Sequence, residues 1–304
     1  MALLTVVLPA YNEEAMLGKT IRVLPELLEK EKIEYELLFV DDGSKDRTWD
    51  MILAAHAENE RVHGVHFSRN FGKEAAIFAG LAAAHGDCVA VMDCDLQHPP
   101  AALAEMYRLW EQGFEVVEGV KRSRGKESGA HRAAAGQFYR LMSRATGIDM
   151  SRASDFKLLD KRAVQALLDM PERNAFFRAM SSWIGFRQTQ VEFDVAEREA
   201  GESKWSARKL IVYAVRNIVG YSTAPMQFVT GAGVVVFLLA VVLGIQTLVR
   251  YFSGHALGGF TTVILLILLI GSIIMISLGI IGYYIARIYE ETKGRPRYIV
   301  SRKI

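Results

Sequence analysis

The 304-residue chain has little cysteine, no surplus of one charge and, between Met226 and Ala286, almost no charge at all. Cys88 and Cys94 are the only cysteines, and without paired His or Cys beside them they spell neither a disulfide framework nor a thiolate metal site. A reduced, cytosolic setting is the expectation. Lys and Arg number 36 against 34 Asp and Glu, and residues 1–224 are slightly acidic, with 29 basic and 32 acidic side chains. The dense basic face that nucleic acid requires is missing, so no nucleic-acid partner is expected. Repeats and low-complexity stretches are absent too. The apolar opening Met1 to Pro9 lacks a basic flank and stops early at a proline, so it is expected to be a first strand and not a leader. The charge gap says most. Between Met226 and Ala286 Arg250 stands alone, and residues 225–304 hold 9 of the 70 charged side chains. A hydrophobic fraction of 51% and a mean hydropathy of +0.16 beside 23% charge therefore exclude a purely soluble protein and also one embedded throughout. A charged head on a short membrane anchor is expected.

In the head, short apolar runs alternate with helical patterns. Leu3–Leu8, Glu36–Val40, Val62–Phe67, Cys88–Met92 and Glu115–Gly119 predict strands; about Glu13–Leu28, Asp46–Ala57, Lys73–Ala84 and Pro100–Trp110 predict helices. This alternation argues an α/β fold, a mostly parallel sheet with helices on both faces. Such sheets bind ligands beyond the carboxyl ends of their strands. The polar blocks fall there: Pro9-Ala10-Tyr11-Asn12-Glu13-Glu14, Asp41-Asp42-Gly43-Ser44, Ser68-Arg69-Asn70-Phe71-Gly72-Lys73 and Asp93-Cys94-Asp95-Leu96-Gln97-His98-Pro99-Pro100.

Asp93 and Asp95 flank one residue, so in extended chain they point to one side. Two carboxylates so close favour a hard cation between them, Mg²⁺ or Mn²⁺, which leaves sites for substrate phosphates. Gln97 adds a neutral oxygen on that face; a solvated acidic turn is the plain alternative. Asp41 and Asp42 suit either a turn with a helix cap, supported by Asp46 and Thr48, or hydrogen bonds to a base or ribose. His98 and His131 lack the neighbours of a metal set and are expected to be structural or peripheral.

Together these blocks resemble the family 2 glycosyltransferases of the GT-A, Rossmann-like fold, and among them the polyprenyl-phosphate sugar synthases, such as dolichol-phosphate mannose synthase and bactoprenol glucosyltransferase. The resemblance continues through Ser154-Asp155-Phe156-Lys157-Leu158-Leu159-Asp160 and Arg198-Glu199-Ala200-Gly201-Glu202-Ser203-Lys204. It implies that Pro9, Tyr11, Glu13, Asp41, Asp42 and Lys73 bind the nucleotide sugar, with Asp93 by the ribose and metal. It also implies that Asp95 and Gln97, with Asp93, hold Mg²⁺ or Mn²⁺ on the diphosphate. Arg198, Ser203 and Lys204, on a loop that closes over the site in such enzymes, are candidates for phosphate contacts, as are Arg122, Arg124 and Arg132 for an anionic acceptor. Asp155 matches an acidic residue offered as a general base. A phosphate monoester, with its second pKa near 6, is already nucleophilic at pH 7, so base and positioning roles both stay open for Asp155. Cys94 departs from the small Ala usual there and should point away from the metal.

The anchor follows from hydropathy. Leu210, Ile211, Ala214 and Ile218 share one face of a helix over residues 206–224, with Lys209 and Arg216 opposite, as in a helix lying in the headgroup plane. Pro225 marks a break, and 228–249 and 261–286 are each long enough to span. The domains expected are thus a head at 1–205, the interface helix at 206–224, and two spans with a basic tail at 225–304. Basic residues before the first span and after the second place head and C-terminus in the cytosol of a cell with its inner membrane crossed twice. Gly231, Gly233, Gly271 and Gly279 permit close helix packing and so a homo-oligomer. The activity expected is inverting transfer of a hexose, with UDP-glucose favoured and GDP-mannose the alternative, onto a polyprenyl phosphate in the bilayer. A processive synthase is disfavoured by the lack of a Gln-x-x-Arg-Trp block, and a non-catalytic scaffold by the presence of both Asp93 and Asp95.

Overall fold

The computed structural model describes residues 2–122, 154–172, 176–194, 224–253 and 259–304. It has two compact units, one formed by Met1–Ser206 with Arg295–Ile304, the other by Ala207–Gly294.

The first unit is built on one eight-stranded sheet of order β7-β5-β6-β4-β1-β2-β3-β8. β1 (Leu3–Ala10), β2 (Glu34–Asp41), β3 (Val62–Phe67) and β4 (Cys88–Val91) run parallel. β6 (Lys157–Asp160) is antiparallel to both β4 and β5 (Val116–Lys121), and β7 (Gln188–Phe193) is parallel to β5. Leu4 to Leu8 of β1 and Tyr35 to Asp41 of β2 are buried without alternation, as strands covered on both faces must be. The covering helices are α1 (Glu14–Lys30), α2 (Thr48–Glu58), α3 (Lys73–Ala83) and α4 (Pro100–Glu111), with α5 (Lys161–Leu168) and α6 (Phe177–Trp183) later in the chain. α1 buries Leu17, Thr20, Leu24 and Leu28 along one stripe. α3 buries Ala76 to Leu81 and approaches β1 so closely that a Cβ on Gly80 would strike Val7. Fully buried side chains such as Phe39, Phe156 and Phe177 each contribute about 1.5–3 kcal/mol of transfer free energy.

The strand order holds the key to the site. From β1 the chain winds outward through β2 to β3, then returns to place β4 on the other side of β1. At such a reversal α/β sheets bind their ligands, beyond the carboxyl ends of the flanking strands, here β1 and β4.

The last residues pair with the sheet as β8 (Val300–Lys303), antiparallel to β3. Gly64 and Ile304 exchange both backbone hydrogen bonds, at 3.2 and 2.9 Å, and Tyr298 stacks on Phe67 at 5.1 Å. A stretch read from sequence as a basic tail is thus an edge strand of the head's sheet.

The second unit contains α7 (Ala224–Phe252) and α8 (Phe260–Thr292). Met226–Arg250 and Leu269–Thr292, with mean hydropathies of 2.7 and 2.1, are long and apolar enough to cross a membrane. Phe237, Leu238, Ile274 and Met275 are exposed on them. Pro225 lies in the first turn of α7, where its missing N–H costs nothing. The amphipathic stretch expected at 206–224 lies, except for Ala224, outside the described residues.

Candidate active site

The β1 and β2 loops are latched together. Asn12 N–H donates to Ser44 Oγ at 2.9 Å, Lys45 N–H to Asn12 Oδ1 at 2.8 Å, and Glu13 N–H to Thr48 Oγ1 at 2.9 Å. Asn12 takes a φ of +53° to do so, an uncommon backbone for a non-glycine residue and one concentrated at functional loops. Tyr11 stands exposed above this latch, with Pro9 and Glu13 partly covered. The acidic pair beside it is occupied by the fold itself. Asp41 accepts from Ser44 N–H at 3.0 Å and meets His66 Nδ1 at 2.7 Å. Asp42 accepts from Phe71 N–H at 2.6 Å and Gly72 N–H at 2.9 Å, clamping the loop that leads to Lys73; burial nevertheless pushes its carboxyl upward. Gly43, at φ +68°, has no room for a Cβ against the Arg69 backbone. Asp46 accepts from the Thr48 amide at 3.0 Å just before α2, but the N-cap position is Arg47 and makes no side-chain cap hydrogen bond.

Beyond this floor runs a chain of alternating charges. Lys73 Nζ lies 2.6 Å from Asp93 Oδ1 and 2.8 Å from Asp155 Oδ2. Arg178 grips Asp155 with two parallel bonds, Nε to Oδ1 at 2.6 Å and Nη2 to Oδ2 at 2.8 Å. Burial opposes charge on Asp155, but Lys73 and Arg178 overcome it and hold the carboxyl far below the usual range. Asp93 is lowered in the same way by Lys73, against its own burial. Lys73, despite burial, is raised by the two carboxylates. Glu74, next in sequence, accepts from Phe177 N–H at 2.9 Å, and burial together with the nearby Asp155 charge pushes it up to about 7. The members come from four places in the chain: Lys73 and Glu74 open α3, Asp93 follows β4, Asp155 precedes β6 and Arg178 lies on α6.

Three residues expected from sequence, Lys73, Asp93 and Asp155, are thus brought into contact. Asp95 lies in the same loop, partly buried, and its Oδ1 accepts from Gln97 N–H at 3.1 Å across Leu96, whose φ is +53°. Cys94 is buried, with its Sγ 3.3 Å from Pro9 O. His98 is buried against Phe156 at 4.7 Å, and its Nδ1 has no hydrogen-bond partner among the described residues; burial lowers its pKa. Arg122 stands at the exposed end of β5, paired with Glu192 at 3.6 Å and Asp194 at 3.3 Å, apart from the charge chain. Arg124, Arg132, Arg198, Ser203 and Lys204 lie outside the described residues. Arg178, Glu74 and the buried pair Lys157–Glu118, 3.1 Å apart, escaped the sequence reading. Arg178 sits in a short apolar run, Phe176-Phe177-Arg178-Ala179-Met180, and its lone cation there is the one signal that could have found it.

Among the described residues no three His, Cys, Asp or Glu side chains converge as a closed metal cage. The donors that are present, two carboxylates and an amide, are hard oxygens on one loop. Mg²⁺ is commonly held by one or two carboxylates plus substrate phosphates, so this donor set fits an ion that arrives with a diphosphate.

The family description "Glycosyl transferase family 2" matches residues 5–168. The chain is 38% identical to the uncharacterized glycosyltransferase YkcC of Bacillus subtilis, over 98% of this chain and 93% of that one. It is 35% identical to the prophage bactoprenol glucosyl transferase homolog of Escherichia coli K12, over 98% of each chain. In fold it is similar to the crystal structure of glucosyl-3-phosphoglycerate synthase from Mycobacterium tuberculosis, with a TM-score of 0.51 and 20% identity over 72% of this chain and 79% of that one.

Proposed function

The chain belongs to glycosyl transferase family 2 and is a glycosyltransferase, and from that premise we propose that it moves one hexose from a nucleotide diphosphate donor, UDP-glucose by preference, to a polyprenyl phosphate. The observation that carries this reading is the meeting of Lys73, Asp93 and Asp155 at the β1/β4 reversal of a chain that also has two helices fit to span a bilayer. The end-to-end likeness to a protein named for bactoprenol supports the lipid acceptor.

In this reading Pro9, Tyr11, Glu13, Asp41 and Asp42 form the nucleoside end of the site. Asp95, with Asp93 and Gln97, would hold Mg²⁺ or Mn²⁺, whose charge favours departure of the nucleoside diphosphate. Lys73 holds Asp93 and Asp155 in one place, so the two loops they come from keep a fixed spacing. An oxygen of the acceptor phosphate attacks the anomeric carbon from the face opposite the diphosphate, the carbon–oxygen bond to the diphosphate breaks, and the configuration inverts. The phosphate is largely dianionic at pH 7, so this step requires placement and charge stabilisation more than proton removal. Arg122, Arg132, Arg198, Ser203 and Lys204 are assigned to the acceptor phosphate.

Head and C-terminus share the cytosolic side of the inner membrane. Lys204, Arg208, Lys209 and Arg216 precede the first span; Arg287, Lys293, Arg295 and Arg297 follow the second. That residues on either side of the two-helix unit belong to one compact head supports an even number of crossings. The domains proposed are the head 1–205, which residues 295–304 rejoin as an edge strand and not as a tail, the interface helix 206–224 and the anchor 225–294.

A donor panel tests the reading. Membranes containing the protein are given undecaprenyl phosphate, Mg²⁺ or Mn²⁺, and UDP-glucose or GDP-mannose in turn, and the lipid fraction is weighed by mass spectrometry. A polyprenyl phosphate heavier by one hexose is expected with UDP-glucose; no hexosyl lipid with any donor would overturn it.

A further inference from the structure

Thr20 is a polar residue on the apolar stripe of α1, buried in line with Leu17, Leu24 and Leu28. A hydroxyl in such a place costs free energy unless it finds a partner. The local partner open to a helical threonine is the carbonyl four residues back. That carbonyl, Met16 O, is 3.4 Å away, whereas Cys94 O, in the loop after β4, is 2.6 Å away. A hydroxyl has one proton to give, so the shorter contact takes it. The bond therefore leaves the helix and reaches the middle of the Asp93-Cys94-Asp95 run.

The carbonyl so held belongs to the peptide that joins Cys94 to Asp95. The Cys94 side chain is buried in the core, with its Sγ 3.3 Å from Pro9 O. Cys94 is thus fastened at two points, to α1 through its carbonyl and to the end of β1 through its thiol. The partly buried Asp93 and Asp95 flank it. Because a peptide is planar, fixing the Cys94 carbonyl also fixes the direction in which the chain enters Asp95. The chain then passes Leu96 at φ +53° and closes a turn, with Gln97 N–H donating to Asp95 Oδ1 at 3.1 Å. Backbone in so sparse a region persists only where its surroundings determine it, and the bond from Thr20 is one such constraint.

We propose that Thr20 is a positioning residue of the metal loop: by holding the Cys94 carbonyl it aims the Asp93 and Asp95 carboxylates at the cation that accompanies the diphosphate. The proposal rests on the transfer reading above and on its assignment of these carboxylates to Mg²⁺ or Mn²⁺. It adds a residue from α1, away from every polar block at the strand ends. Groups that orient the ligands of a metal typically change its affinity 10- to 100-fold when removed, and Thr20, acting through one peptide, belongs at about the lower figure.

The full-length protein in detergent is titrated with Mn²⁺ in the presence of UDP, and free Mn²⁺ is read by electron paramagnetic resonance, so no turnover is involved. Thr20→Val keeps the shape and loses the hydroxyl, and should raise the Mn²⁺ dissociation constant about tenfold. Thr20→Ser keeps the hydroxyl and should restore most of the affinity. In transfer, Thr20→Val should raise the KM for UDP-glucose and leave that for a short-chain polyprenyl phosphate unchanged. Thr5→Val controls for lost stability: Thr5 is equally buried, on the amino half of β1, and its hydroxyl serves Glu36 at 2.5 Å. That variant should melt lower than the wild type and bind Mn²⁺ equally well. A Thr20→Val protein that melts lower yet binds Mn²⁺ like the wild type would make Thr20 a packing residue and overturn the proposal. A Thr20→Ser protein as weak as Thr20→Val would do the same. If the wild type transfers no hexose, the function reading fails while the Mn²⁺ titration still decides Thr20. A wild type that binds no Mn²⁺ beside UDP overturns the metal assignment and the role of Thr20 together. If Thr20→Val does not fold, Thr20→Ala, which suits a helix and also lacks the hydroxyl, carries the same expectation.

Discussion

Asp155 and Glu36 are both carboxylates of the head with side chains 8% exposed, yet they are neutralised in opposite ways. Asp155, beyond the carboxyl end of the sheet, is met by two permanent cations from remote elements, and those cations reach solvent. Glu36, on β2 opposite Thr5, is met by a hydroxyl at 2.5 Å, the His85 amide at 2.8 Å and the His85 and His63 rings at 3.2 and 3.8 Å. Burial works against charge in Glu36, and these donors overcome it to hold the carboxyl below its ordinary value. The lesson is that equal burial does not mean equal purpose. A carboxylate closed off by hydroxyl and amide donors joins β1, β2 and the approach to β4. One gripped by cations from two remote elements fixes the spacing of α3, α6 and the approach to β6.

The comparison is sharpened most by a third case, Lys157 and Glu118. Lys157 is 1% exposed and has Glu118 at 3.1 Å and Ser182 Oγ at 3.3 Å; burial lowers its pKa, with Glu118 opposing. It lies at the chemical edge of the sheet but is sealed like Glu36, so its loss should be structural. Glu118→Gln leaves a buried ammonium without its anion and should cost about 3–5 kcal/mol. In a unit of this size that is a fall of roughly 10 °C in melting temperature, checked by thermal unfolding of the detergent-solubilised protein. A change below about 2 °C would put Lys157 in a wetter place than described.

Glu36→Gln is next. Losing the ionised acceptor of three donors should cost about 1.5–3 kcal/mol, seen as a melting temperature lower by roughly 3–10 °C, while kcat and both KM values stay as in the wild type. A stable variant with impaired transfer would break the comparison outright.

The smallest effect is in pH. Burial, with His56, His85 and Lys303 nearby, lowers the pKa of His63 despite Glu36. Between its ordinary and its lowered pKa the unfolded chain binds a proton that the folded head refuses, so stability falls as pH drops from 7 toward 5. Replacing His63 with Gln should reduce that drop in melting temperature by about 1–2 °C, because the ring is a third exposed. An unchanged slope would assign the acid sensitivity elsewhere.

Much of the fold was legible because parallel strands are buried on both faces and read as apolar runs: β3 was expected at Val62–Phe67 and is found there, and α3 differs by one residue. Strand-end chemistry was legible for the same reason, since polar residues that interrupt such runs fall at the carboxyl ends. Three things were hidden. The four residues of β8 form a strand only because β3 offers them an open edge. Arg178 and Glu74 act through partners 23 and 103 residues away, which no local pattern records. Asp41 and Asp42 have the same letter, and only the turn geometry shows one facing Ser44 and His66 and the other clamping Phe71 and Gly72.

The most direct test of the whole account is the appearance of hexosyl polyprenyl phosphate in membranes bearing wild type, Glu36→Gln or Asp95→Asn, supplied with UDP-glucose, undecaprenyl phosphate and Mn²⁺ and followed by mass spectrometry. The account predicts the one-hexose lipid from wild type and Glu36→Gln, and a loss of about a thousandfold for Asp95→Asn. Product formed by Asp95→Asn at the wild-type rate would contradict it.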